Sequence, residues 1–308
     1  MKKGIVAATV LISVMAGSAF AQGSCDRACL QGFVDQYLKA IVAHDPSRLP
    51  LARNARYTEN GQTLKMNDGM WRVATAVGDK NLYFADPQSG QVGWRGIIEE
   101  NGHKQIAMLR LKIENRKISE MESIICREGG ALHNPKGLMD HPIFAEALQP
   151  EDRPSRKELT AIANSYFEGL EQVTGKITPF DPNCTRMENG TVTANNPESK
   201  DHGRMSCGDQ FNIPGFSAVI TKVRERRFPV VDEERGLVHA LIFFDHAGIP
   251  EVKLPDGSVR KINMPPFDAP FTFMIGELFK IRNKKITRVE AVLLSVPYGM
   301  PSGWVPPQ

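Results

Sequence analysis

Two ionisable residues stand inside otherwise apolar stretches of this chain. In Leu237 to Asp245, strand alternation puts Leu237, His239, Leu241, Phe243 and Asp245 on one side and Val238, Ala240, Ile242 and Phe244 on the other. In Phe271 to Ile281 it groups Glu277 with Phe273, Ile275 and Phe279. A carboxyl among apolar neighbours has its proton affinity raised, and an imidazole within reach could exchange a proton with it. His239 and Glu277 therefore read as a general acid and base, provided their strands are adjacent and bring them together. The structural alternative is a hydrogen-bonded core histidine and a glutamate paired with Arg186 or Arg288.

Two further carboxylates, Glu59 and Glu188, each end a strand in Glu-Asn-Gly and are candidates for acid–base work at a pocket rim. Trp71, Tyr83 and Trp94 are either core or a platform for an aromatic ligand, with Phe243 as a further wall. Arg95, Arg110 or Arg186 facing inward would suit an anionic or phenolate oxygen. Tyr298 and Trp304 either close a pocket mouth or anchor the tail. The other histidines (44, 103, 133, 141, 202 and 246) fall in turns or loops without metal-ligand spacing, so no metal is expected. There is no Gly-rich phosphate loop, no Gly-x-Ser-x-Gly and no His-Glu-x-x-His, which weighs against nucleotide, serine-hydrolase and zinc-protease chemistry. The expected enzyme uses no cofactor.

What must position these residues is a domain that occurs twice. Phe33–Gly61 matches Ile162–Gly190 at a shift of 129, pairing Tyr37 with Tyr166, Asn54 with Asn183 and Glu59-Asn60-Gly61 with Glu188-Asn189-Gly190. Gly69–Gly102 matches Gly215–Gly248 at 146, pairing Asp86 with Asp232 and Gly90 with Gly236. Lys112–Ile118 matches Lys280–Ile286 at 168, and Glu122 meets Glu290. The growing shift assigns 17 extra residues to Thr191–Ile213 and 22 to Ile249–Pro270 of the second copy, both loop-like in composition. His239 then faces Gly93, and Glu277 faces Leu109, so the two copies cannot be chemically equivalent.

Each copy reads as an amphipathic helix, a short strand, a second short helix near Met70–Val77 or Phe216–Val223, and a long antiparallel meander. The domains are 22–130 and 155–296, with 131–154 a linker and 297–308 a tail. Residues 1–21, with Lys2 and Lys3, an apolar run and Ala19-Phe20-Ala21, form a secretory leader too short to span a bilayer. The mature protein is expected to be exported, periplasmic or extracellular. Without the leader, Lys plus Arg falls from 38 to 36 against 35 acids, so no basic field exists for nucleic acid. Of the five cysteines, Cys184 and Cys207 are the expected disulfide, and Cys126 could pair with Cys25 or Cys29.

Helices followed by a curved antiparallel sheet, the Lys-Ile-x-Asn-x-Lys-Ile strand–turn unit and a domain of this length resemble the SnoaL-like, or nuclear transport factor 2-like, superfamily. The ending Pro297-Tyr298-Gly299-Met300-Pro301-Ser302-Gly303-Trp304 resembles the tail of a secreted double-cone family. The resemblance implies an α+β class with two tandem cone-shaped barrels, helices packed on a curved sheet, forming a pseudo-dimer in one chain. It also implies cofactor-independent lyase or isomerase chemistry on a small apolar or aromatic molecule, as in ketosteroid isomerase. Release of formaldehyde from lignin-derived aromatic dimers is one such reaction. The competing expectation is a non-catalytic small-molecule binding protein of the same fold.

Overall fold

The computed structural model describes residues 25–248, 251–253, 257–261 and 265–304; the expected leader 1–21 lies outside them, as does part of the second insertion. In the first repeat, α1 (Arg27–Val42) starts where Asp26 accepts the Cys29 amide, and buries Leu30, Phe33, Val34, Tyr37, Leu38 and Ile41 at helical spacing. There follow β1 (Leu51–Glu59), β2 (Gln62–Thr63), a single turn α2 (Met70–Val73), β3 (Ala74–Val77), β4 (Leu82–Asp86), β5 (Gln91–Glu100), β6 (His103–Glu114) and β7 (Lys117–Cys126). The sheet order is β2-β1-β7-β6-β5-β3, with β4 also on β5. β1 runs parallel to β7 and the other pairs are antiparallel. The sheet is thus mixed, whereas the sequence suggested antiparallel pairing throughout.

The second repeat begins with α3 (Arg156–Glu171), opened by a Ser155/Glu158 capping box. β8 (Phe180–Glu188), β9 (Thr191–Ala194), α4 (Cys207–Phe211), α5 (Pro214–Ser217), β10 (Lys222–Asp232), β11 (Leu237–Ala247), β12 (Glu251–Lys253), β13 (Val259–Lys261), β14 (Pro270–Arg282) and β15 (Lys285–Val296) complete it. Its main sheet has the order β10-β11-β14-β15-β8-β9, with β8 parallel to β15, and β12 pairs β13 in a separate hairpin. The fold is a tandem duplication of one α+β unit, a mixed sheet carrying few helices. The matched turns behave alike: Asn115-Arg116 and Asn283-Lys284 all adopt positive φ, as a two-residue hairpin turn requires.

Each sheet has two buried faces. One packs on its own helix, around Tyr37 and Leu109 in the first repeat and around Tyr166 and Phe279 in the second. The other face meets the opposite sheet, where Phe84, Ile97, Met108 and Ile124 pack with Leu237, Leu241, Phe243, Met274, Leu278 and Val292. The segment 131–154 joins the two repeats and packs against them. It inserts Leu138 and Phe144 into this third core, because a stretch with buried apolar side chains gains more from packing than from solvation.

Reciprocal polar contacts pin the two repeats. Arg27 at the start of α1 binds Asp232 at 2.6 Å, and its counterpart Arg156 binds Asp86 at 2.6 Å, so matched residues exchange partners across the boundary. Arg227 likewise reaches Glu122 at 2.6 Å, and Arg95 reaches the matched Glu290 at 2.5 Å. A self-complementary exchange of this kind is what a two-fold interface produces, and it fits a pseudo-dimer within one chain. The tail returns to the first repeat: Trp304 Nε1 donates to Thr58 at 2.8 Å and the indole lies under Arg56 and beside Arg110.

The cysteines pair differently from the sequence expectation. Cys25 and Cys29 are bonded to each other across the first turn of α1, where i and i+4 positions are neighbours, and Cys126 is a buried free thiol. Cys184 and Cys207 face each other as thiols 2.9 Å apart.

Asp86 and Asp232 are almost fully buried but their arginine partners are partly exposed, so Asp86→Asn and Asp232→Asn should each cost about 2 kcal/mol in urea unfolding, the loss of charge-assisted hydrogen bonds. The loss at Asp86 should be the larger, because Arg27 keeps Glu234 at 2.6 Å when Asp232 is neutralised, and equal losses would show that Glu234 contributes nothing.

Candidate functional site

Register decides which candidates meet. β11 and β14 are adjacent, but His239 lies opposite Leu278 and Glu277 opposite Ala240. Directly opposed residues share a face and consecutive residues do not, so His239 and Glu277 point to opposite sides of the sheet. The proposed pair does not form. His239 sits between the sheets, with Phe84 at 4.9 Å and both ring nitrogens without a partner. Burial, then the charges of Arg110 and Arg227, push its pKa down to about 3. Phe243 is in the same inter-sheet core, under Arg224 at 4.6 Å.

Glu277 faces α3, in a cluster that exists only in the second repeat. Arg186 on β8 is fully buried: its Nε donates to Thr193 at 3.1 Å, its Nη2 bonds Gln210, and its Nη1 has no partner. Glu188, two residues on, stands 3.6 Å from Arg186 and is a fifth exposed at its side chain. Glu277 is buried and its Oε2 has no partner. Burial, then the neighbouring Glu188 carboxylate, raise its pKa to about 8, against the opposing pull of the nearby Arg186 and Tyr166 side chains. At neutral pH the carboxyl is therefore mainly protonated beside an ionic neighbour, the arrangement that separates an acid from a base. The walls are aromatic: Phe211 and Phe279 lie 4.9 and 5.1 Å from the Tyr166 ring, and Phe216 lies under Arg186 at 4.8 Å.

The first insertion closes this cluster. Ser206 caps α4, and from that helix Gln210 bonds Arg186, Thr193 and His202 while Phe211 packs on Tyr166. The first repeat fills the matched space differently. Tyr57 stands where Arg186 does, Leu109 where Glu277 does, and Trp71 where Ser217 does. Trp71 donates to Tyr37 at 3.1 Å, and Glu59 accepts from Tyr57 at 2.7 Å and from the Met70 amide at 2.7 Å. Arg127 binds Glu59 and Glu100 at 2.8 and 2.7 Å at the edge of a cleft of about 700 Å³ lined also by Asp68, Arg72 and His103. Glu59 thus has its acceptors occupied, while Glu277 does not.

The remaining candidates have structural partners. Trp94 donates to Asn81 and Tyr83 to Asp35, both at 2.8 Å, inside the first repeat. Arg95 lies between the sheets on Glu290, and Arg110 is held by Glu122, Glu120 and Gln91. Tyr298 is half exposed, and the tail's anchor is Trp304. Asn60 and Asn189 bind the matched backbone amides of Ile125 and Leu293 at 2.8 and 3.0 Å, which explains their repetition by folding alone. No group of three or more acidic, histidine or cysteine side chains is placed to hold a metal among the described residues.

Residues 24–125 and 152–293 match one family model, described as a domain of unknown function (DUF8021). The chain belongs to that family. The two matched stretches coincide with the two repeats, so each repeat is a DUF8021 unit and the Glu277 cluster is a property of the second unit only. None of the curated proteins matches the chain. Gln210 and Thr193 carry no mark in the sequence, and Tyr166 stands out there only as the match of Tyr37. The exchanges of Tyr57 for Arg186 and Trp71 for Ser217 at the repeat shifts carried that signal.

Glu277 binds its proton more tightly folded than unfolded, so its burial costs stability as pH rises from about 4.5 to about 8. Glu277→Gln should abolish that part of the decline, seen as a higher urea midpoint than wild type at pH 8.5 and a similar one at pH 4.5. His239 acts in the other direction, because an imidazole kept neutral by the fold loses stability as pH falls from about 6.5 towards 3. His239→Leu should be more stable than wild type at pH 5 and leave the Glu277 cluster undisturbed. Equal acid sensitivity in wild type and His239→Leu would contradict the placement of His239.

Proposed function

We propose that the second repeat is a cofactor-independent acid–base site, of lyase or isomerase type, for a small, largely apolar or aromatic molecule carrying a carbonyl or phenolic oxygen. The observation that carries this reading is the pair of unpartnered, fully buried groups, Glu277 Oε2 and Arg186 Nη1, in one aromatic-walled cluster. Two orphaned polar groups at this depth cost stability, and a function that uses them accounts for their retention. Glu188, the more accessible carboxylate, takes a proton from carbon next to the substrate oxygen. Arg186 and the protonated Glu277 donate to the oxygen as negative charge develops there. Return of the proton at another carbon gives isomerisation, and loss of a leaving group gives elimination.

The reading takes each repeat as a SnoaL-like cone, supported by one opening helix against one face of a mixed sheet and by pairing of the two sheets through their outer faces. Export follows from the leader pattern and is supported by the Cys25–Cys29 bridge, a bond that persists in oxidising compartments. Access to Glu277 requires α4 and α5 to swing away, so the insertion acts as a lid.

The test is exchange of substrate α-protons with D2O, followed by NMR over a panel of aryl and cyclic ketones. Wild type should accelerate exchange of at least one compound, Glu188→Gln should lose about 10²–10⁴-fold of that rate and Glu277→Leu about 10²–10³-fold. Glu277→Leu copies the first repeat and should raise stability while removing activity. Acceleration that survives in Glu277→Leu would remove the site from the reaction, and a compound that binds without exchanging would make the protein a binding protein instead.

A further inference from the structure

The lid over the second-repeat cluster carries one half of a cysteine pair. Cys184 lies on β8 two residues before Arg186, and Cys207 opens α4 three residues before Gln210. Both are fully buried, their sulfurs stand 2.9 Å apart, and Cys207 Sγ is 3.1 Å from the Cys184 carbonyl oxygen. A bond requires about 2.05 Å, so less than an ångström of approach separates the two thiols from a disulfide. Cys126, by contrast, has only carbonyl oxygens near its sulfur and lies away from the lid. The Cys207 thiol titrates below its ordinary value, through the hydrogen bond with Cys184 and, against burial, the Arg186 guanidinium.

We propose that Cys184 and Cys207 form a reversible disulfide that locks the α4 insertion over the Glu277 cluster, so that the site opens only in the dithiol form. This rests on reading that cluster as the functional site. The oxidant is a small-molecule disulfide such as oxidised glutathione. The Cys207 thiolate attacks one of its sulfurs and expels one thiolate, leaving a mixed disulfide. Cys184 then gives its proton to solvent, attacks the Cys207 sulfur and expels the second thiolate. Two protein thiols are oxidised, one small disulfide is reduced to two thiols, and one S–S bond is exchanged for another. The mechanical consequence follows from α4: Gln210 holds Arg186, Thr193 and the His202 carbonyl from the same short helix, so tethering its first residue to β8 fixes all of these contacts together.

The experiment compares the full chain treated with oxidised glutathione and with dithiothreitol. Each sample is alkylated under denaturing conditions for peptide mass spectrometry, and examined natively by hydrogen exchange. After oxidation only Cys126 should be alkylated, and exchange of residues 191–213 should slow by about tenfold relative to the dithiol form. The Cys184→Ser/Cys207→Ser variant should exchange at one rate under both treatments. If that variant does not fold, the wild-type comparison alone decides. The proposal is overturned if Cys184 and Cys207 remain alkylatable after oxidation, or if the bridge forms and exchange in 191–213 does not change. Neither readout needs turnover, so they can fail while wild-type α-proton exchange survives, and succeed where it is absent.

Discussion

The structure depends on two sheets packing back to back, held by the exchange of Arg27 and Arg156 between Asp232 and Asp86. Everything else inherits that constraint. A sheet covered on one face by its helix and on the other by its twin leaves few strand positions for water, which is why residues 237 to 246 are buried without interruption. In such a strand, polarity amid apolar neighbours has two possible addresses, the helix side or the twin side. His239 has the second and Glu277 the first.

That distinction marks the limit of what the sequence could disclose. The repeat, its insertions and its hairpin turns were legible because they are carried by identities such as Asn60-Gly61 with Asn189-Gly190 and by the positive φ that Asn115 and Asn283 accept. Alternation placed His239 and Glu277 correctly within their own strands. It could not show that the pairing register sets Ala240, not His239, opposite Glu277, since a shift of one residue exchanges the faces. The parallel pairing of β1 with β7 was equally hidden, because nothing local distinguishes a parallel partner. That Leu138 and Phe144 of the segment joining the two units find a core was not legible, because Pro, Gly and Asn frequency speaks for turns and is silent on packing.

Duplication has let the two units divide their obligations. In the first, the space on the helix side is filled by Trp71 and Leu109, and Glu59 has its acceptors taken by Tyr57, Met70 and Arg127. In the second, the same scaffold holds Arg186 and Glu277 with bonding capacity to spare, and an insertion to cover them. The two copies are joined by a large apolar face, and only the second places unpartnered polar atoms of Arg186 and Glu277 on its helix side.

The tail adds a temporal dimension. Trp304 bonds Thr58 across 246 positions of sequence, and Arg27 meets Asp232 across 205. A chain growing from its first residue can shape the helix and sheet of the first unit early, but it cannot neutralise Arg27 until β10 of the second unit has been made, nor seat β1 against the Trp304 indole until all of that unit has been made. The first unit therefore waits with an uncovered apolar face for most of synthesis. Whatever shields that face in the interval, whether a holding factor or delayed collapse, is as much a requirement of this architecture as any contact in the finished molecule.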